Sequence, residues 1–206
     1  MDLSLIETLR WEPGTGFVRL ERHLARLARS AAVLGLPGVE KARDALFATL
    51  PPSALPLRIR LELFTDGRID IQTAAFTPLA ADTVWRLKLA ATTLASNDPL
   101  LRHKTSRRAL YAAARAEFPT TEADEVLLLN ERDELCEGTI TSLFLDDGTG
   151  PLKTPPLASG LLAGVLREEL LETGRAVEAV LRPGDLAGGT ILVGNSLRGL
   201  IRCVLA

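Results

Sequence analysis

The sequence predicts an α+β fold rather than a doubly wound parallel sheet. Apolar residues that alternate over residues 3–10 and 17–20, on either side of a Pro-Gly-containing turn, predict a β-hairpin at the start. Apolar residues at helical spacing then predict an amphipathic helix that begins near Leu20 and ends before Gly35. Hairpins and helices follow one another without regular strand–helix–strand alternation, and this order favours the α+β class.

The next elements repeat this mixture of helices and hairpins. Residues 38–50 predict a short helix that Pro51-Pro52 ends. Strict alternation over 57–64, an Asp-Gly turn and the run 68–75 predict a second hairpin. A strand over 84–91 leads into Ser-Asn-Asp-Pro, a sequence typical of linkers. We therefore predict an N-terminal part over 1–94, a linker over 95–98 and a C-terminal part over 99–206.

The C-terminal part is again predicted to mix helices with strands. Strong helix formers predict one helix, and a helical pattern after Ser159-Gly160 predicts another. The helices cover residues 104–117 and 162–171, the strands cover 126–129, 176–181, 190–194 and 198–205, and further strands or turns cover 135–145.

Composition narrows the classes of function. The chain has 206 residues, of which 47% are hydrophobic, and 24 Lys+Arg against 26 Asp+Glu give a net charge of -2. Such balance argues against nucleic-acid and anionic-membrane partners, and no apolar run approaches the ~20 residues of a membrane span. The start lacks a secretory pattern, so we expect a cytoplasmic protein. Cys136, Cys203, His23 and His103 show no metal-binding spacing, and we expect no metal.

Lysine is scarce, which limits the candidates for amine chemistry. Only four of the basic residues are lysines, and Lys104 opens a predicted helix with Arg108 and Tyr111 at i+4 and i+7. A lysine near fixed cations at a domain junction can have a depressed pKa, as an amine nucleophile requires. Considered alone, this pattern fits a solvated surface lysine better than it fits an amine nucleophile.

Four sequence blocks occur in an order that is more specific than any single motif. They read IETLRW...FVRLERHLARLARSA, HKTSRRALYAAARA, ADEVLLLNERDELCEGTITSLFL, and TPPLASGLLAGVLREELL followed by VGNSLRGL. In these blocks the chain resembles the class IV pyridoxal-phosphate-dependent aminotransferase superfamily, and most closely its aminodeoxychorismate lyase branch. The resemblance implies a two-part fold of type IV, similar to D-amino acid aminotransferase, with pyridoxal 5'-phosphate in the interdomain cleft. It also implies a small-molecule amino substrate and a homodimer.

The resemblance assigns a role to residues in each block. It implies that Lys104 holds the cofactor and is the catalytic acid/base, and that Glu137 binds the pyridine nitrogen. It implies that Arg26, the backbone N–H groups of Val165 and Leu166, and Ser196 bind the phosphate. Without the blocks, Glu137 would be interpreted as a solvated strand end, Arg26 as an exposed helix residue and Ser196 as a turn residue.

Other positions have less specific roles. The resemblance places Arg108 near the phenolic oxygen of the cofactor, with Tyr111 as the alternative. Arginines that could bind substrate carboxylates, or that could equally be surface residues, are Arg58, Arg60, Arg107 and Arg198, and Tyr111 is a further substrate-binding candidate.

The predicted reaction is conversion of 4-amino-4-deoxychorismate to para-aminobenzoate and pyruvate, a step of folate biosynthesis. One alternative is a class IV aminotransferase acting on branched-chain or D-amino acids. A second is a non-catalytic ligand-binding homologue, against which the joint presence of Lys104, Glu137 and Arg26 argues.

Overall fold

The structure is a computed structural model that describes residues 3–206, and the chain falls into two compact units. The N-terminal unit comprises the chain up to Pro78 together with His103–Arg107. The C-terminal unit comprises Leu79–Arg102 and Arg108–Ala206. Each unit contains its own sheet and helices, as the α+β prediction requires.

The N-terminal unit contains an antiparallel sheet in the order β2-β1-β3-β4. Its elements are β1 (Ser4–Glu12), β2 (Gly16–Val18), α1 (Leu20–Leu34), a 3-10 turn (Val39–Lys41), α2 (Ala42–Ala48), β3 (Leu57–Phe64) and β4 (Ile69–Ala75). Alternation along β3 places its leucine and isoleucine side chains in a core with Leu27 and Ala31 of α1. Gly35 adopts a φ of 71° and ends α1. Both predicted hairpins and the long helix are confirmed.

The segment around Lys104 differs from the prediction. It is extended rather than helical, because its backbone pairs with β1: Ile6 N–H donates to the Lys104 carbonyl at 2.8 Å, and Ser106 N–H donates to the Ser4 carbonyl at 2.9 Å. Thr105 forms a bridge with Leu5. The helix prediction from 104 is thus wrong for its first turn, since pairing with a distant strand outweighs local helix propensity.

The C-terminal unit contains an eight-stranded sheet in the order β10-β9-β8-β11-β12-β5-β6-β7. Its elements are β5 (Val84–Leu94), α3 (Ala109–Ala116), β6 (Glu125–Asn130), β7 (Leu135–Gly138), β8 (Ser142–Asp146), β9 (Leu152–Thr154), α4 (Val165–Glu172), β10 (Ala176–Glu178), β11 (Thr190–Asn195) and β12 (Gly199–Leu205), with 3-10 turns at Pro99–Arg102, Leu157–Ser159 and Pro183–Gly188. Because β7 also pairs with β8, six strands close into a ring. Apolar residues of these strands form one buried cluster.

The boundary between the units lies elsewhere than the sequence predicts. The predicted parts, 1–94 and 99–206, assign β5 to the N-terminal part, yet β5 pairs in parallel with both β6 and β12. Within the predicted linker 95–98, Ser96 is buried and donates its N–H to Glu131 at 2.8 Å. Parallel partners are remote in sequence, so a local pattern carries no sign of them. Among residues 3–206, none of the helices has the length and apolar character of a membrane span.

Candidate active site

Glu137 is a buried carboxylate at the centre of the candidate site in the C-terminal unit. It lies on β7, where every residue is buried, and its own exposure is 5%. Its Oε1 atom accepts a hydrogen bond from the Tyr111 hydroxyl at 2.7 Å and another from the Leu162 backbone N–H at 3.1 Å. Two donors from separate elements therefore orient a carboxylate that the sequence alone would place at a solvated strand end.

Tyr111 is in turn packed by Arg108, the residue that precedes α3. The guanidinium carbon of Arg108 lies 4.6 Å from the centroid of the Tyr111 ring, and the guanidinium donates to the Thr139 carbonyl. Burial and the negative charge of Glu137 raise the pKa of Tyr111 above its usual value. The phenol therefore remains a hydrogen-bond donor at neutral pH, and the structure joins Arg108, Tyr111 and Glu137 directly.

The turn that follows β7 is built around Glu125, a buried carboxylate on β6. Glu125 accepts hydrogen bonds from the backbone N–H and hydroxyl of Thr139 at 3.0 and 2.5 Å. It also accepts from the Ile140 N–H at 3.1 Å and from the Thr141 hydroxyl at 2.9 Å. This network fixes the Thr139 carbonyl to which Arg108 donates.

Gly138 has no room for a side chain in this turn. A Cβ there would lie 2.9 Å from the Glu125 carboxyl carbon and nearer still to the Thr141 hydroxyl. We expect Gly138→Ala to lower the free energy of unfolding by about 1–3 kcal/mol, the usual cost of overpacking. Urea denaturation measures this, with Gly184→Ala as the control because a Cβ at Gly184 has no neighbour within 4 Å. Equal stability of the two variants would contradict the interpretation.

The N-terminus of α4 lies next to the residue that donates to Glu137. Gly164 is the N-cap of α4, and in the described chain no side chain caps it. A Cβ on Gly164 would lie 2.6 Å from the Ser142 hydroxyl oxygen, so a larger residue there would require the Ser142 side chain to move. Val165 and Leu166 form the buried first turn. Backbone N–H groups at such a start favour an anion.

Ser196 lies in the turn between β11 and β12 and is buried. Asn195 stabilises this turn, because its side-chain oxygen accepts hydrogen bonds from the backbone N–H groups of Leu197 and Arg198 at 3.1 and 2.9 Å. The Asn195 amide also donates to the Ile140 carbonyl at 3.1 Å. The turn that carries Ser196 is therefore tied to the turn that follows Glu137.

Arg26 lies in the N-terminal unit, within a buried cluster with Glu7 and His23. Its Nε and one terminal nitrogen donate to the two Glu7 oxygens at 2.8 and 2.6 Å. His23 Nδ1 lies 2.6 Å from Glu7 Oε2. Burial alone would raise the pKa of Glu7, but the charge of Arg26 and the hydrogen bonds from His23 and Arg26 lower it to about 2. Arg26 is thus a buried, oriented cation rather than an exposed helix residue.

Lys104 belongs to the same unit and is half-buried. The preceding residue, His103, has its Nδ1 2.9 Å from the Ser30 hydroxyl of α1. Lys104 is therefore attached to β1 through its own carbonyl and to α1 through its neighbour. Glu7 follows the β1 residue that pairs with Lys104, and Ser30 lies one helical turn beyond Arg26.

The candidate carboxylate-binding arginines are divided between the two units. Arg58 and Arg107 are exposed, and Arg60 forms an ion pair with Glu62, to which Ser4 also donates. These three lie in the N-terminal unit, whereas Arg198 lies in the C-terminal unit with its guanidinium carbon 5.9 Å from the Trp85 ring. Their role in substrate binding stays a prediction.

Two supporting carboxylates were missed by the sequence analysis. The signal for Glu7 lies on α1, where His23 and Arg26 are three residues apart and therefore share a helical face. Glu125 begins an apolar strand and gives no local sign of being buried among five donors.

Comparison with known proteins identifies the family. Residues 4–205 match the family described as amino-transferase class IV. A structure from Mesorhizobium loti, provisionally named an amino-acid aminotransferase, is 53% identical, covers 100% of both chains and has a TM-score of 0.92. A Schizosaccharomyces pombe protein, provisionally named an aminodeoxychorismate lyase, is 29% identical over 98% of this chain and 89% of its own. The 4-amino-4-deoxychorismate lyase structure from Pseudomonas aeruginosa is 26% identical over 98% and 82%, with a TM-score of 0.76.

The chain therefore belongs to the class IV aminotransferase family, whose members are pyridoxal-phosphate-dependent enzymes of fold type IV. The predicted fold class, family, cofactor and enzymatic character are confirmed. The residues present suit the chemical groups of the cofactor: the C-terminal unit holds a buried carboxylate, Glu137, and the helix start at Gly164, and the N-terminal unit holds a buried arginine, Arg26, and Lys104.

Proposed function

We propose that this enzyme is a lyase that converts 4-amino-4-deoxychorismate to para-aminobenzoate and pyruvate. The observation that carries the proposal is the buried Glu137 carboxylate with Oε1 held by Tyr111 and Leu162. The S. pombe relative, which matches over nearly the full length of both chains, supports the choice of reaction.

Glu137 and Lys104 would perform the chemistry. When bound, pyridoxal phosphate supplies an electron sink for the electrons of a broken bond at the substrate. Glu137 would hold a proton on the pyridine nitrogen, since a buried anion favours a cation beside it. Lys104 would hold the cofactor covalently and, once released, would accept and return a proton at the substrate carbon, because its amine lies on a long, flexible stem.

The family resemblance assigns phosphate binding to Arg26, to the backbone N–H groups that open α4 and to Ser196. Arg26 supplies a planar guanidinium whose orientation Glu7 sets, and this geometry suits phosphate oxygens. In the C-terminal unit, the backbone N–H groups of Val165 and Leu166 open α4, and Ser196 lies in the turn held by Asn195. Arg26→Ala would accordingly weaken binding of pyridoxal phosphate more than that of pyridoxal, which lacks the phosphate.

An aminotransferase is the second candidate because the M. loti structure, 53% identical over the full chain, carries that name. Both reactions would use the same Lys104 and Glu137. They differ in what the second half of the cycle needs, since a transaminase requires a keto acid to accept the amine.

Product analysis separates the two reactions. The holoenzyme is incubated with 4-amino-4-deoxychorismate and no keto acid, and pyruvate and para-aminobenzoate are measured. We expect both products in equal amounts over many turnovers. A single turnover that resumes only when a keto acid is added, with ping-pong kinetics, would replace the lyase by the aminotransferase.

The homodimer and the cytoplasmic location are the finer parts of the proposal. The resemblance to class IV enzymes supports the homodimer. Light scattering of the purified holoenzyme should give twice the mass of the 22.2 kDa chain, and a mass of one chain would overturn the dimer.

A further inference from the structure

Tyr111 connects two parts of the C-terminal unit that the cofactor chemistry depends on. Its ring packs under Arg108, which is held by the Thr139 carbonyl, and its hydroxyl donates to Glu137 Oε1 at 2.7 Å. Because Glu125 fixes Thr139, an unbroken series of contacts runs from the turn after β7 back to the Glu137 carboxylate on β7.

We propose that Tyr111 is a positioning residue that fixes the orientation of the Glu137 carboxylate and thereby strengthens binding of the cofactor ring. This role differs from contact with the phenolic oxygen or with substrate, the two roles that the sequence suggests for Tyr111. The inference rests on the proposed function of Glu137.

The geometry explains why a phenol suits this position. A hydrogen bond to a charged acceptor is stronger than one between neutral groups, so a donor at 2.7 Å restrains the carboxylate. Leu162 N–H donates to the same oxygen, and together the two donors limit rotation of the carboxyl group. The ring cannot turn away easily, because Arg108 lies over it.

The contact itself can be tested without cofactor. Tyr111 is the single tyrosine of the chain, so the 13Cζ resonance of labelled tyrosine reports on this hydroxyl alone. We expect Glu137→Gln to shift the resonance at pH 7, because the hydroxyl then meets a neutral acceptor. Thr173→Val, which removes a hydroxyl that donates to Glu169 at the end of α4, should leave the resonance unchanged. An unchanged resonance in Glu137→Gln would overturn the pairing.

Cofactor binding tests the positioning role. Tyr111→Phe keeps the ring under Arg108 and removes only the hydroxyl, and we expect the affinity for pyridoxal phosphate to fall by roughly 10-fold or more. In a double-mutant cycle, the same substitution should have little effect in the Glu137→Gln background, because its target is already altered. A purely structural role would lower affinity equally in both backgrounds and would overturn the inference.

The experiment distinguishes this inference from the proposed function. If the wild-type protein binds no pyridoxal phosphate, the proposed function fails, and the positioning role fails with it even where the resonance shifts. If the wild type binds the cofactor and Tyr111→Phe binds it equally well, only the positioning role is overturned.

Discussion

Replacing Lys104 by alanine should reduce turnover by about 10³-fold or more, since the variant lacks both the covalent attachment and a general acid/base worth about 10²–10⁴. Lys104 is held by backbone pairing with β1, a contact that does not depend on its side chain. We therefore expect the variant to keep this pairing and to fold. Initial rates of product formation and urea denaturation measure the two quantities.

Covalent attachment of the cofactor to Lys104 can be tested independently of turnover. Borohydride treatment of the holoenzyme should fix the cofactor on the peptide that contains Lys104, and the alanine variant should yield no labelled peptide. Lys41→Ala serves as the control, because Lys41 is exposed in the 3-10 turn Val39–Lys41 of the same unit. Labelling of another lysine, or turnover that survives in the alanine variant, would remove Lys104 from the catalytic position.

The sequence predicts the elements better than it predicts which of them belong together. Hairpins and helices that depend on local turns and periodicity are confirmed, as with α1 and its Gly35 stop. Assignment of β5 to the C-terminal unit depends on parallel pairing with β6 and β12, which lie far along the chain. The extended conformation at Lys104 has the same origin, since its partner strand is β1.

The candidate site also divides into residues that the sequence indicates and residues whose contacts only the fold brings about. Lys104, Glu137 and Arg26 are predicted site residues because they lie in blocks that resemble a family. Their supporting residues are set by three-dimensional contacts: Glu125 meets a turn 14 residues away, and Tyr111 meets Glu137 across 26 residues. No local periodicity encodes such pairs, so burial and hydrogen bonding had to be observed in the structure.

Glu7→Gln should cause the largest loss of stability, because it leaves the Arg26 guanidinium buried without its counter-charge. Both side chains are almost fully buried, at 3% and 7% exposure. Removing one partner of a buried ion pair costs about 3–5 kcal/mol of unfolding free energy. Glu62→Gln is the matched control, since Glu62 also pairs with an arginine in this unit but is more exposed. We expect it to cost about 1 kcal/mol or less.

The pH dependence gives this prediction a second, independent measurement. The pKa of Glu7 is lowered from 4.5 to about 2 on folding, so the folded state favours the ionised form. The resulting stabilisation is complete above the unfolded-state pKa and disappears as the pH falls towards 2, a total of about 3 kcal/mol. Urea denaturation between pH 7 and pH 2.5 should therefore show a steeper loss for the wild type than for Glu7→Gln. Parallel curves for the two proteins would mean that Arg26 and His23 do not hold Glu7 in its ionised form.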